Sequence, residues 1–400
     1  MNRFSTRLFG AVLAIVLAVP AFAATISATT HTKKTAASAK VKEPAKVQKR
    51  MASLRSSRSV RHHRRARRSR YYEHFYTSSF SDDNGAGDVT AGEDPVVRAA
   101  ALEALGNMNG TVVAIDPDTG RILAMVNQKL ALSEGAEPCS TIKIAISLAA
   151  LSEGVLTQNN NTIRIGRTNV DLTSALAHSN NAYFEEVGRR LGFEKVSHYA
   201  HMFGLGELAG YNIEGEHLGT FPSEVLADKL GGVGKMCSFG ESISLTPLQL
   251  GALVAAIANG GNLYYLQHPV NQQQVLNFQP RLKRTLDIAP YVPIIMPGMS
   301  GAVEYGTARS LRTSFDQEQV LGKTGTCSNN GTRFGWFASY ANTEHGRIVT
   351  VFFLEGGHPT YGPKAAELSG KFYRSLYDHS FFAGNTPMSD SRSAAIGASH

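Results

Sequence analysis

The sequence predicts an α/β chain of the α+β kind: a five-stranded antiparallel sheet flanked by helices, with an all-helical subdomain over about residues 136–300. Three observations predict it. A helix and a β-hairpin open the ordered part, a long stretch of helical pattern follows, and three strand-like segments with a final helix close it. Two early strands joined in space by three late ones make one antiparallel sheet, and the helical insertion must then lie beside it.

Taken in order, Asp94-Pro95 reads as an N-cap with proline at the first helical position, and "VVRAAALEALG" as a helix closed by Gly106. "TVVAIDPDTGRILAMV" (111–126) is a hairpin, two apolar strands around an Asp-Pro-Asp-Thr-Gly turn. A helical pattern runs from Ser140 to about Ser152 and stops at Gly154. "LTSALAHSNNAYFEEVGRRLG" gives two helices separated by a short break at His178 to Asn181. "LTPLQLGALVAAIANGG" is a helix capped by Thr246, apolar on most faces and therefore buried. Beyond Gly301, "QVLGKTGT", "TRFGWFASYA" and "GRIVTVFFLEGG" are strands. The last helix starts at Pro363, with Leu368, Phe372 and Leu376 on one face.

The chain has 400 residues, enough for two or three domains, but the charge distribution lowers that number. Residues 1–70 hold 17 of the 40 Lys and Arg against one acid, Glu43, so the net charge of +8 is a basic tail on an acidic body. Arg3 and Arg7, an apolar run and Ala21-Phe22-Ala23 have the layout of a secretory signal peptide over residues 1–23, which places the protein outside the cytoplasm, in the periplasm or cell envelope. Pro20 interrupts the run, so an uncleaved membrane anchor is the second choice. Residues 24–93 read as a disordered basic tail and an acidic, Gly-rich linker, "SDDNGAGDVTAGED", with "YYEHFYTSSF" between them as an aromatic stretch that can pack on the body. The tail is either an electrostatic tether to anionic envelope polymers or a membrane surface, or a solvated leader without a partner. The export signal argues against nucleic acid. Residues 386–400 are expected to be a disordered tail.

Chemistry enters with "EPCSTIK". Ser140 and Lys143 stand three apart on a helix and share a face, so the ammonium nitrogen can reach the hydroxyl. The lysine serves as a base only when burial or a nearby cation lowers its pKa. Alone, Ser-x-x-Lys is a weak signal. Ser179-Asn180-Asn181 in a helix break and Lys323-Thr324-Gly325 on a strand, in this order, make it strong.

Together the three motifs resemble the set of penicillin-interacting serine enzymes, and the chain over about residues 94–385 resembles the transpeptidase domain of penicillin-binding proteins. The resemblance implies a β-lactamase/transpeptidase-like fold and a serine acyl-enzyme. Ser140 attacks a D-Ala-D-Ala carbonyl, Lys143 takes its proton, and Ser179 relays a proton toward the leaving amine. Asn181 binds the donor peptide's amide. Lys323 keeps Lys143 neutral and attracts the terminal carboxylate, which Thr324 and Thr326 hydrogen-bond. The N–H groups of Ser140 and Thr326 form the oxyanion hole, and Gly325 lets substrate lie against the strand. Peptidoglycan stem peptides and β-lactam antibiotics are the implied partners.

The same motifs serve D,D-transpeptidases, D,D-carboxypeptidases and serine β-lactamases, and a non-catalytic envelope-binding protein would also carry them. No Glu-x-x-Leu-Asn stretch of class A β-lactamases is present, and Asn181 stands where class D enzymes carry Val. Two features depart from the family: a short segment ahead of the domain, and a short gap between Ser140 and Ser179.

Cys139, Cys237 and Cys327 are an odd count, which in an exported protein suggests one pair and one free thiol. No zinc-ligand spacing is present, and neither metal nor cofactor is expected. Cys139 precedes the nucleophile and Cys327 falls two residues after Lys-Thr-Gly. This placement resembles the disulfide of carbapenem-hydrolysing class A β-lactamases and implies a Cys139–Cys327 bridge, contributing roughly 3 to 5 kcal/mol in the chain-entropy picture. His178 reads as a helix-end histidine, His358 as a loop residue, Trp336 as core beside the third motif, and Glu304 and Tyr305 as a cleft rim.

Overall fold

The computed structural model describes residues 74–343 and 346–383. The signal-like segment, the basic run to Arg70 and the expected tail from residue 386 lie outside the described residues. Helix α1 (Pro95–Leu105) starts where Asp94 accepts from the N–H groups of Val96 and Val97, and ends at Gly106, whose φ of 56° needs no Cβ. Strands β1 (Gly110–Ile115) and β2 (Ile122–Val126) form the hairpin, its turn tied by Asp116 accepting from Thr119 Oγ1 at 2.6 Å. Next come α2 (Gln128–Ala131), a 3-10 turn at Cys139–Ile142 and α3 (Lys143–Ser152).

The inserted region holds β3 (Ile163–Ile165), β4 (Thr168–Val170), α4 (Leu172–Ala177), α5 (Asn181–Leu191), α6 (Phe193–Met202) and α7 (Gly232–Phe239). It continues through α8 (Pro247–Ala258), β5 (Asn262–Tyr264), α9 (Gln272–Leu276), β6 (Leu282–Thr285) and α10 (Val292–Glu304). The chain then returns to the sheet with β7 (Gln319–Asn329), β8 (Thr332–Thr343) and β9 (Gly346–Gly356), and ends in α11 (Gly362–Asp378). In α8, Thr246 and Gln249 complete a reciprocal capping box, and every residue of the helix is buried.

The five strands run in the order β2-β1-β9-β8-β7, all antiparallel, so the last three strands close onto the first two. Strand alternation then separates two cores. Phe352 faces α1 and α11 together with Val97, Phe372 and Leu376, while Val351 and Phe353 face the other side with Trp336, Ile144 and the residues of α8. That second face carries the inserted region.

Two expectations are revised. The inserted region is not wholly helical: β3–β4 and β5–β6 are two-stranded sheets. Strands of three or four residues carry too few apolar positions to register a period of two. Order also begins earlier than Asp94. Asn84 Nδ2 donates to the carbonyls of Gly106 and Met108, at 3.0 and 2.7 Å. Asp88 pairs with Arg98 at 2.6 Å and accepts from the N–H groups of Asn127 and Gln128. Glu93 accepts from Met125 N at 2.9 Å. The acids that resemble a solvating linker instead satisfy buried donors, and that makes the stretch from His74 part of the body. The aromatic stretch packs with it, Phe75 edge-on to the His358 ring.

Candidate active site

The nucleophile segment is shaped by its first residues. Cys139 takes a left-handed backbone, φ 51°, which turns the chain into the 3-10 helix and sets Ser140 one turn ahead of Lys143. That backbone is normally glycine's. The structure joins Cys139 to Cys327 of β7 with their Cα atoms 5.6 Å apart, and leaves Cys237 as a buried free thiol. Trp336, fully buried beside β7, donates from Nε1 to the Glu137 carbonyl at 3.0 Å and stacks on Phe353. The segment is therefore pinned to the sheet by a covalent bond and an indole hydrogen bond.

Lys143 is fully buried, and its Nζ stands at the centre of the site. It lies 2.7 Å from Ser140 Oγ, 3.1 Å from Ser179 Oγ and 2.6 Å from Asn181 Oδ1. The break between α4 and α5 and the first residue of α5 supply the last two: Ser179 sits at φ 56°, and Asn180 caps α5 by accepting from Tyr183 N. With the cap role taken by Asn180, its neighbours are left to face the lysine. Burial against Phe184 and Phe239 first, and the Lys323 charge second, push the Lys143 pKa down to about 6 against the opposing charge of Glu185.

Lys323 is also fully buried, and burial lowers it to about 7. Its Nζ donates to the Thr324 carbonyl at 3.0 Å. Thr324 Oγ1 bonds Thr307 Oγ1 at 2.6 Å. Thr326 Oγ1 accepts from Gly362 N at 2.8 Å, which ties β7 to the start of α11 and leaves its hydroxyl proton available. Glu137 is raised to about 7, by burial first and the Glu241 charge second.

The three sequence motifs thus meet. Ser140, Lys143, Ser179 and Asn181 form one hydrogen-bonded group, and β7 lies against it through the Cys139–Cys327 bridge. Gly325 has a second reason to lack a side chain: a Cβ there would stand 2.8 Å from the Pro138 carbonyl. The glycine therefore lets the nucleophile segment approach the strand, whatever room it also leaves for substrate.

Sequence reading missed Thr307, which joins the second motif to the third: its N–H donates to Ala177 O and its hydroxyl meets Thr324. The "GTA" after Tyr305 was the available signal. His178 is exposed and tilts against Tyr305 at the rim. Glu304 pairs with Arg312, and His358 with Arg333.

A Ser-Lys pair at a helix start, a Ser-x-Asn loop and a Lys-Thr-Gly edge strand brought to one place are the arrangement of penicillin-interacting serine enzymes. The chain belongs to the penicillin-binding protein transpeptidase domain family, whose model matches residues 110–377. It is 30% identical over 257 residues to Stage V sporulation protein D of Bacillus subtilis, covering 54% of this chain and 39% of that protein. It is 25% identical to the peptidoglycan D,D-transpeptidase PbpA of Mycolicibacterium smegmatis, covering 69% of this chain and 68% of the relative. Its fold is similar to that of Pseudomonas aeruginosa PBP2, with a TM-score of 0.61 at 22% identity, covering 73% of this chain and 75% of that one. The chain thus spans about four tenths to two thirds of the length of these two curated relatives.

Proposed function

We propose that the protein is an exported D,D-transpeptidase that forms a serine acyl-enzyme with D-Ala-D-Ala stem peptides, and that β-lactam antibiotics acylate the same serine. The observation that carries this reading is Lys143 Nζ, fully buried and 2.7 Å from Ser140 Oγ. A lysine depressed to about 6 is largely neutral at physiological pH and can take the hydroxyl proton.

Ser140 Oγ then attacks the carbonyl of the penultimate D-Ala, forming the C–O bond. The C–N bond breaks as the terminal D-Ala leaves with a proton passed through Ser179, which already touches Lys143. An acceptor amine attacks the ester, giving its proton back along the same route. Asn181 holds Lys143 in place by accepting from it, and its amide nitrogen is free to meet the donor peptide. Lys323, Thr324 and Thr326 line the strand against which the terminal carboxylate binds. The Cys139–Cys327 bridge flanks Ser140 and Thr326, whose N–H groups serve as the oxyanion hole. The N-terminal signal-like segment supports export, and the folded unit includes residues ahead of Asp94, among them Phe75, Asn84 and Asp88.

The test is to incubate the protein with a fluorescent penicillin, then with a D-Ala-D-Ala stem peptide and an amine acceptor. Stable label at Ser140 and amine-dependent product are expected. The Cys139–Cys327 bridge is the one observation favouring a hydrolytic reading, through its resemblance to carbapenem-hydrolysing β-lactamases. Label lost within seconds as antibiotic is destroyed would establish that reading instead.

A further inference from the structure

The edge of the sheet opposite the candidate active site carries a second cavity. Beside β2, Ile122 N donates to Gln267 O at 2.9 Å and Gln267 N to Gly120 O at 3.0 Å. Leu266 N donates to Ala209 O, Tyr211 N to Leu266 O and Tyr265 N to Arg281 O, each at 2.8 Å. Four extended segments are thus joined into a floor by these backbone bonds. Glu216 fixes the Tyr211 side, accepting from the N–H groups of Ala209 and Gly210. Helix α9 forms the facing wall and is held by Gln272 Nε2 donating to Ala91 O at 2.7 Å.

The cavity encloses about 380 Å³, within the range of small-molecule sites. Its lining is dense in carboxamides and holds no carboxylate. Asn212, Gln273, Asn277 and Gln279 face it with side-chain amides that bond no protein group among the described residues. The Tyr211 and Phe278 rings complete it. Of the two cationic candidates, His268 Nε2 meets Glu93 at 3.0 Å, while Arg281 lies 4.1 Å over the Tyr211 ring and has no carboxylate partner among the described residues.

We infer that this cavity is a glycan-binding site for an N-acetylated sugar. Each carboxamide offers a carbonyl acceptor and an NH₂ donor, which match hydroxyl and acetamido groups. Aromatic rings offer apolar faces to a sugar's C–H surface. A ligand rich in such groups and poor in charge matches the four carboxamides better than an acidic stem peptide, for which Arg281 is the one lining cation without an acidic partner among the described residues. An extended peptide strand would also find the N–H groups of Tyr211, Tyr265, Leu266 and Gln267 already used. β2 and β7 are the two edges of the sheet, four strand spacings or roughly 19 Å apart. The site would thus hold a glycan away from the reacting serine and align the peptides it carries. That this glycan is a peptidoglycan strand rests on the transpeptidase reading, whereas the acetamido-sugar chemistry does not.

The experiment uses the full chain acylated beforehand with benzylpenicillin, so that the cleft is occupied. Calorimetric titrations use N-acetylglucosamine oligomers, peptide-free peptidoglycan strands and free stem peptide. Glycan binding is expected, weakened about tenfold or more in both Tyr211→Ala and Asn277→Asp. The rate of penicillin labelling should be unchanged in both variants. Binding of strands but not of N-acetylglucosamine oligomers supports peptidoglycan as the source; the reverse supports another acetamido polysaccharide. Absence of glycan binding, equal binding in both variants, or stem-peptide binding that these variants abolish would overturn the inference. Failure of penicillin labelling would count against the transpeptidase reading and leave the glycan site standing.

Discussion

The two edges of the sheet expose the chain to ligands in opposite ways. At β7, two lysines are fully buried, each pushed well below its ordinary range, and the Ser140 and Ser179 hydroxyls and the Asn181 carbonyl are directed at Lys143. At the β2 edge, the polar groups are mainly carboxamides, mostly exposed and unpaired by protein, with Arg281 as the one exposed cation among them. Burying amines is costly, and amines so perturbed cluster at functional sites. Exposed carboxamides cost little and suit equilibrium binding. One edge is built for proton transfer and the other for holding.

The largest effect should follow from removing the buried base. Lys143→Ala should slow acylation of Ser140 by penicillin about 10³-fold, measured by stopped-flow labelling, because Lys143 Nζ is the basic group hydrogen-bonded to Oγ. Fast labelling in this variant would erase the distinction between the edges.

Next is pH. Acylation should rise as pH climbs through about 6, where Lys143 loses its proton, and fall above about 7 as Lys323 loses the charge that attracts the carboxylate. These limbs belong to the coupled pair rather than to either lysine alone. The same shifts set stability. Folded values of about 6 and about 7 lie below the ordinary 10.5, so the unfolded chain binds more protons between them. Stability should therefore increase with pH over that window, and the double variant Lys143→Met, Lys323→Met should flatten the increase in urea titrations. A stability curve unchanged by the double variant would contradict the buried, neutral state.

The bridge gives a smaller effect. Cys327→Ala should cost about 2 to 4 kcal/mol of stability by thermal or urea unfolding. Cys139→Gly should cost roughly 1 kcal/mol less, since glycine relieves the left-handed backbone at φ 51° that a side chain strains. Equal losses would mean that the backbone strain at Cys139 is not significant. The smallest effect is at the β2 edge, where Tyr211→Ala should leave acylation within about twofold of the parent, as expected for a surface change distant from the site.

Much of this was legible in the sequence because it was local. Asp94-Pro95, Thr246-Pro247 and the turn at Asp116–Gly120 determine their elements through neighbours in the chain, and each element forms as read. The three motifs also carry their structural contexts with them. What escaped depended on distant partners. Asp88 and Glu93 look like linker charge until Arg98, Asn127 and Met125 are placed beside them. Thr307 gains its role only where Thr324 and Ala177 converge, and Gly325 only where Pro138 approaches β7. Carboxamides spread from Asn212 to Gln279 show no pattern until the fold gathers them around one cavity.

The central claim is that Ser140 is the residue acylated by a D-Ala-D-Ala peptide, with Lys143 as its base. Its most direct test is acid-quenched peptide mass mapping after brief exposure to a stem pentapeptide. A peptide spanning Ser140 should gain the mass of the pentapeptide less its terminal D-Ala, and this adduct should be absent in Ser140→Ala. An unmodified Ser140 while D-Ala is released, or an adduct on another residue, would contradict it.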